Sequence, residues 1–288
     1  MPPDVFIPLA EHSGMIEPLT EWVLDAALRQ CRAWEQEGRT LVVQVNLSMR
    51  SVQDARLPDR VADLLRRHEV PPARLMLEIT EGALMADPER ARAVLDRLAA
   101  LGVRLAIDDF GTGYSSLAYL SALPIHEVKI DKGFVRGMEE SAKDAAIVRS
   151  VIALAHALRL QVVAEGIESR VAWDLLDALG CDVAQGYYLS RPLPAAQWTR
   201  ERFPDGRDAA GATTGGESPR GTVLAGGSEA LEAPGLRLHG LVDPGPLLPP
   251  ETPTEQAIEL FARESARGRC PWRGWGSRRP GDARRVDG

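Results

Sequence analysis

From Thr20 to Ser190 the chain switches repeatedly between helix-period apolar stripes and short, nearly continuous runs of Val, Leu and Ile. Trp22, Leu24, Ala27, Leu28, Cys31 and Trp34 fall on one side of a predicted helix, capped by Thr20 and stopped by Gly38. LVVQVNLS follows as a strand. A helix around RVADLLRRHE leads to the strand RLMLEIT, after which Asp87 and Pro88 supply a capping carboxylate and a first-turn proline for PERARAVLDRLAALG. The pattern continues through the strands VRLAIDD and HEVKID, the helix DAAIVRSVIALAHALR, the strand LQVVAEG, the helix SRVAWDLLDALG and the strand DVAQGYYLS. Strands separated in this way predict parallel crossover units, and their apolar character on both faces suits strands buried from both sides.

A polar residue stands at the end of nearly every predicted strand: Asn46, Glu78, Asp108 with Asp109, Lys129, Glu165 and Gln185. A closed (β/α) barrel gathers such ends around one mouth, whereas a doubly wound open sheet spreads them along an edge. Their spacings of 32, 30, 21, 36 and 20 residues are each near the length of one strand plus one crossover. The placement therefore favours an α/β barrel with a single site.

Gly and Pro mark where that pattern stops. They supply 22 of the 202 residues 1–202 but 25 of the 86 residues 203–288, which predicts one domain over 1–202 and a disordered Gly/Pro-rich tail over 203–288. Residues 263–288 hold eight Arg against three acids, with Trp272 and Trp275, and are read as a bland extension rather than a nucleic-acid contact. With 34 basic and 41 acidic residues the net charge is -7, which argues against nucleic-acid polymers and anionic membranes as partners. Cys31, Cys181 and Cys270 form neither a disulfide framework nor a zinc set, so a reducing cytoplasm is expected. No window is long and apolar enough for a membrane span.

Glu78, Asp108, Asp109 and Glu165 are then four carboxylates at one predicted mouth, where mutual repulsion calls for cations. Oxygen donors from these groups and the Asn46 amide suit Mg2+ or Mn2+. Adjacent side chains in a strand point oppositely, so a bend is needed to bring both aspartates to the mouth, and Gly111 and Gly113 in DDFGTGYSSL are placed to supply it. Lys129 in VKID points inward and can hold a phosphate oxygen or stabilise charge developing in transfer, or simply neutralise the acids. Asp131 either orients Lys129 or binds the following loop. Glu81 either caps the segment after it or clamps the DDFG loop through backbone N–H groups. Glu168 and Gln185 are expected to orient the ligands. The five histidines form no ligand set, and no GxSxG elbow is present. Such a mouth suits phosphoryl chemistry, although enolisation of an acid substrate uses similar parts.

FIPLAEHSGMI, VNLS, LEITEG, IDDFGTGYSSL, VKIDKGFV, VVAEGIES and GCDVAQGYYLSRPLP together resemble the ordered signature segments of the EAL domain family, bacterial cyclic di-GMP phosphodiesterases. The resemblance covers residues 1–202. It implies a modified (β/α)8 barrel of the TIM type that linearises the second messenger cyclic di-GMP to pGpG with Mg2+ or Mn2+. It further implies that Asn46, Glu78 and Asp108 ligate one ion, that Asp109 helps hold a second, and that Lys129 and Glu165 position the attacking water and the ions. Glu81 then anchors the loop Gly111–Leu117, through which a homodimer forms, and Gln185 lies near the nucleotide. A sensory or cyclase partner is expected in signalling. The family opens with a strand carrying Glu-Ala-Leu, and MPPDVFIPLAE corresponds to the segment after it, so the barrel is expected to be truncated at its N-terminus and the activity of this chain impaired. A fragment or miscalled start is favoured over a degraded relative or completion by another polypeptide. The alternative function is a non-catalytic module that binds cyclic di-GMP or a protein. A barrel enzyme acting on another phosphorylated or carboxylated metabolite is the third.

Overall fold

The computed structural model describes residues 3–113, 117–192, 195 and 237–238. Helix α1 (Pro3–Ser13) and the first residues of α2 (Ile16–Gln36) group apart from Thr20–Asp243, the unit that carries the sheet. Within that unit β1 (Val43–Leu47), α3 (Met49–Val52), α4 (Leu57–His68), β2 (Leu75–Thr80), α5 (Glu81–Ala86) and α6 (Pro88–Ala100) come first. They are followed by β3 (Arg104–Phe110), α7 (Leu117–Leu120), β4 (Glu127–Ile130), α8 (Lys132–Gly137), α9 (Ala142–Ala157), β5 (Gln161–Ala164), α10 (Arg170–Ala178) and β6 (Val183–Ala184). A two-residue strand β7 (Arg237–Leu238) pairs in parallel with β6, and the rest of the tail read as disordered lies outside the described residues.

Among the described residues the seven strands are all parallel and lie in sequential order, each hydrogen-bonded to the next. A doubly wound sheet reverses its order at a switch point; this one never does, as a barrel-type winding requires. Period-2 alternation separates the two faces of the sheet. Val45, Leu77, Leu105, Ile107, Val128, Ile130, Val162 and Ala164 belong to one core cluster with Leu64, Leu95, Val148, Ile152, Trp173 and Leu176 of the helices. Met76, Ala106, Val163 and Val183 are equally buried yet stand outside that cluster, so they line the opposite, inner face. That inner face also carries Asn46, Glu78, Lys129 and, beyond β5, Glu165.

The helix caps follow the sequence closely. Asp87 accepts the Arg90 N–H, Pro88 opens α6, and Ser141 and Ser169 cap α9 and α10. Two expectations are corrected. Helix α2 begins at Ile16 rather than after Thr20, and the Thr20 hydroxyl instead meets Ser51 Oγ at 3.1 Å. The predicted strand DVAQGYYLS stops at Ala184, because Leu189 and Ser190 donate back to the Gly186 carbonyl and turn the chain. Among the described residues no helix is long and apolar enough to cross a membrane.

The turn after β6 needs a residue without a side chain. A Cβ at Gly186 would lie 2.1 Å from the Ile167 carbonyl oxygen and 2.3 Å from its nitrogen, both backbone atoms held by hydrogen bonds to this segment. Gly186→Ala should therefore destabilise the sheet unit by about 1–3 kcal/mol, the usual cost of an overpacked site. Urea unfolding monitored by tryptophan fluorescence checks this, and an unchanged midpoint counts against the close approach.

Candidate active site

Three carboxylates converge on one buried ammonium. Lys129 Nζ lies 2.9 Å from Glu78 Oε2, 2.5 Å from Glu165 Oε1 and 3.8 Å from Asp108 Oδ1, with the lysine and Glu78 side chains each only 4% exposed. The strands place them. Glu78 is the fourth residue of β2, Lys129 the third of β4, Glu165 follows the last residue of β5, and Asp108 stands near the end of β3. Burial pulls the Lys129 ammonium toward neutrality, but the charges of Glu78, Glu165 and Asp108 outweigh it and hold its pKa above the ordinary lysine value. Burial pushes Glu78 and Glu165 up from the usual carboxylate range, with Lys129 opposing and Asp108 reinforcing. The Asn46 amide also hydrogen-bonds Glu78.

The bend expected at the paired aspartates lies within β3. Its register against β4 shifts between Ile107 and Phe110, and Asp109 adopts φ 54°, a left-handed conformation that few residues other than Gly, Asn and Asp accept readily. The Asp109 N–H donates to Asp108 Oδ1 at 3.0 Å. Burial and then the charges of Asp108, Asp131 and Glu165 push the Asp109 carboxyl up to about 6, and it shares a hydrogen bond with Asp131. Asp131 also accepts the Gly133 N–H at 2.9 Å as the cap of α8. Of its two expected roles, binding the following segment is the one its contacts support.

Glu81 acts as the loop clamp. Its Oε2 accepts from Gly111 N–H at 3.2 Å and Gly113 N–H at 3.1 Å, while Thr80 caps the helix that Glu81 begins. Gly111 has φ 99°, and a Cβ at Gly113 would stand 2.8 Å from the Glu81 carboxylate, so both glycines are needed for the clamp to close. The proposed dimer loop continues through residues 114–116, which lie outside the described residues. Gln185 is buried at the end of β6, its N–H on Ala164 O and its carbonyl accepting from Ile167. Glu168 is not brought into the cluster: it is 47% exposed and ion-paired with Arg136 on α8. Three residues beyond Glu165 the chain has already left the sheet, which carries Glu168 away.

The donor set fits a hard divalent cation. Glu78 Oε1 is buried with no hydrogen-bond partner among the described residues, a carboxylate oxygen that water or a cation would complete. Among those residues no three His, Cys, Asp or Glu side chains surround an ion-sized position as they stand; the carboxylates surround Lys129 instead. Sequence reasoning passed over Glu127, fully buried two residues before Lys129 and facing the same way; a second charged residue at i−2 on a buried strand was the available signal.

Replacing Lys129 by Met strands those acids. It should cost about 3–5 kcal/mol at pH 8, the penalty for breaking a buried ion pair. Without the ammonium Glu78 and Glu165 hold protons more tightly in the folded state than in the unfolded chain, so the variant's stability falls as pH rises and recovers toward pH 5. Urea titrations at the two pH values test this; equal losses at both would contradict it. Glu81→Ala should accelerate hydrogen exchange at the Gly111 and Gly113 amides while leaving β2 protected.

The EAL domain family profile matches residues 1–192. A bifunctional diguanylate cyclase/cyclic di-GMP phosphodiesterase, MucR of Pseudomonas aeruginosa, is 46% identical over 196 residues, covering 68% of this chain and 29% of that protein. The cyclic di-GMP phosphodiesterase NbdA of the same organism is 44% identical over 195 residues, covering 67% of this chain and 25% of that protein. This chain thus spans less than a third of either relative. The solved complex of the PaMucR phosphodiesterase with c-di-GMP superposes with a TM-score of 0.68 at 45% identity, covering 69% of this chain and 81% of that one. With its family profile matched across residues 1–192 and its strand-end acids gathered on one lysine, the chain belongs to the EAL domain family.

Proposed function

We propose that this chain hydrolyses cyclic di-GMP to linear pGpG with Mg2+ or Mn2+, and that it does so in the cytoplasm as part of second-messenger signalling. The observation that carries the proposal is the convergence of Glu78, Asp108 and Glu165 on Lys129 at the strand ends, in a chain 45% identical to a phosphodiesterase domain solved with c-di-GMP. Asn46, Glu78 and Asp108 would hold one ion, and Asp109 with Glu165 a second. Such ions acidify water and offset charge on a phosphodiester.

The chain's own groups have distinct tasks. Lys129 neutralises the clustered acids, and its ammonium would stabilise a phosphate oxygen in the transition state. Glu165, at the rim and held above the ordinary carboxylate range by burial, orients the attacking water and receives its proton. Glu81 holds the Gly111–Gly113 backbone beside the strand-end acids. Gln185 faces the nucleotide. A homodimer through the loop 111–117 and a sensory or cyclase module joined to the domain complete the reading, with residues 1–202 as the catalytic domain.

Incubation of the full chain with cyclic di-GMP and MnCl2 should yield pGpG by chromatography, with turnover abolished by EDTA. Lys129→Met and Glu165→Gln should each lower kcat by about 100-fold or more, the cost typical of removing one preorganised electrostatic group. Folded protein that binds cyclic di-GMP tightly without turnover would instead identify a binding module.

A further inference from the structure

Glu127 opens β4 and is completely buried, one inward-facing position below Lys129. Its Oε1 receives the Gln44 amide at 3.5 Å, a long contact, and its Oε2 has no hydrogen-bond partner among the described residues. A fully ionised carboxylate with so little solvation is costly unless a cation approaches. The groups facing it come from every neighbouring strand. Beside it β1 offers the uncharged Gln44, β2 Met76 and above it Glu78, β3 Arg104, and β5 Gln161 with Glu165 at its end. Arg104 spends one guanidinium hydrogen bond on Gln161 Oε1 at 3.1 Å. His126, preceding Glu127, is turned to the backbone N–H of Leu105.

We propose that Glu127 is a remote charge partner of the cation site, a floor carboxyl that keeps its proton while the mouth lacks a divalent ion and releases it when one binds. Glu127 does not coordinate the ion in this scheme. It responds to the added positive charge through the buried, low-dielectric inner face of the sheet, and the coupling is reciprocal, so its ionisation tightens cation binding. Its chemistry is suited to this near neutrality: burial first, opposed by Arg104 and reinforced by Glu78, pushes the carboxyl up to about 7. No bond beyond the O–H is broken, and the proton passes to solvent. The inference rests on the cation-binding reading given above.

The test titrates Mn2+ into the full chain by calorimetry at pH 7 in two buffers of different ionisation enthalpy, which counts the protons released per ion. Wild type should release roughly half a proton more than Glu127→Gln, because a group near its midpoint is half protonated beforehand. Raising the pH from 6 to 8 should strengthen Mn2+ binding by about three- to tenfold more in wild type than in the variant. Glu127→Met, apolar like its neighbour Met76, supplies a second neutral variant should the glutamine disturb folding. Asp108→Ala separates the two ideas. If Mn2+ binding is absent in wild type or survives Asp108→Ala, the cation site itself is overturned and Glu127's role with it. If binding is lost in Asp108→Ala but proton release is identical in wild type and both Glu127 variants, the role of Glu127 alone is overturned.

Discussion

A single ammonium, that of Lys129, makes the mouth of this sheet possible. Glu78, Asp108 and Glu165 come from three different strands, and without a positive charge between them their burial would leave uncompensated anions in a poorly solvated space. Because Glu78 stands on β2 and Lys129 on β4, the ion pair reaches across β3 and ties together strands that share no backbone hydrogen bonds. The same charge balance that stabilises the folded chain would also preset the electrostatics for the proposed phosphodiester hydrolysis.

Around that charge centre the useful geometry comes from departures from regular β structure. The shifted register of β3 and the left-handed Asp109 turn two consecutive carboxylates into a usable pair. Glu81 then fastens the loop that follows by two backbone hydrogen bonds. Glu78 and Glu81 divide these tasks because the strand ends between them: one side chain stays on the inner face, and the other begins helix α5. Helices and strands thus supply rigid placement, while the glycines allow the backbone to approach where a side chain would block it.

Much of this was legible in the residues themselves. Strand-end polar groups at Asn46, Glu78, Asp108, Lys129 and Glu165 are separated by one crossover each, and a parallel winding carries such residues to one end of the sheet whatever the details of packing. Asp87 with Pro88 announced its helix because capping is a local hydrogen bond, whereas the Ser141 and Ser169 caps of α9 and α10 came only with the structure. Other features depend on distant partners and were misread or missed. The length of β6 is limited by the turn in which Leu189 and Ser190 donate to the Gly186 carbonyl, and Thr20 is drawn into α2 with its hydroxyl against Ser51. Glu168 follows the same motif as Glu165 yet ends on the surface beside Arg136.

By itself the sequence determined the α/β pattern, the sequential helices and strands, and which side chains could meet at the strand ends, since periodicity, caps and spacing are properties of neighbouring residues. Only the tertiary structure decided that the acids close on Lys129, that Asp131 caps α8 while Glu81 clamps the loop, and that Glu127 is buried beneath them. Those outcomes depend on burial and on charges brought together across long stretches of chain. The local pattern carries neither the dielectric of a residue's surroundings nor the identity of the group that faces it.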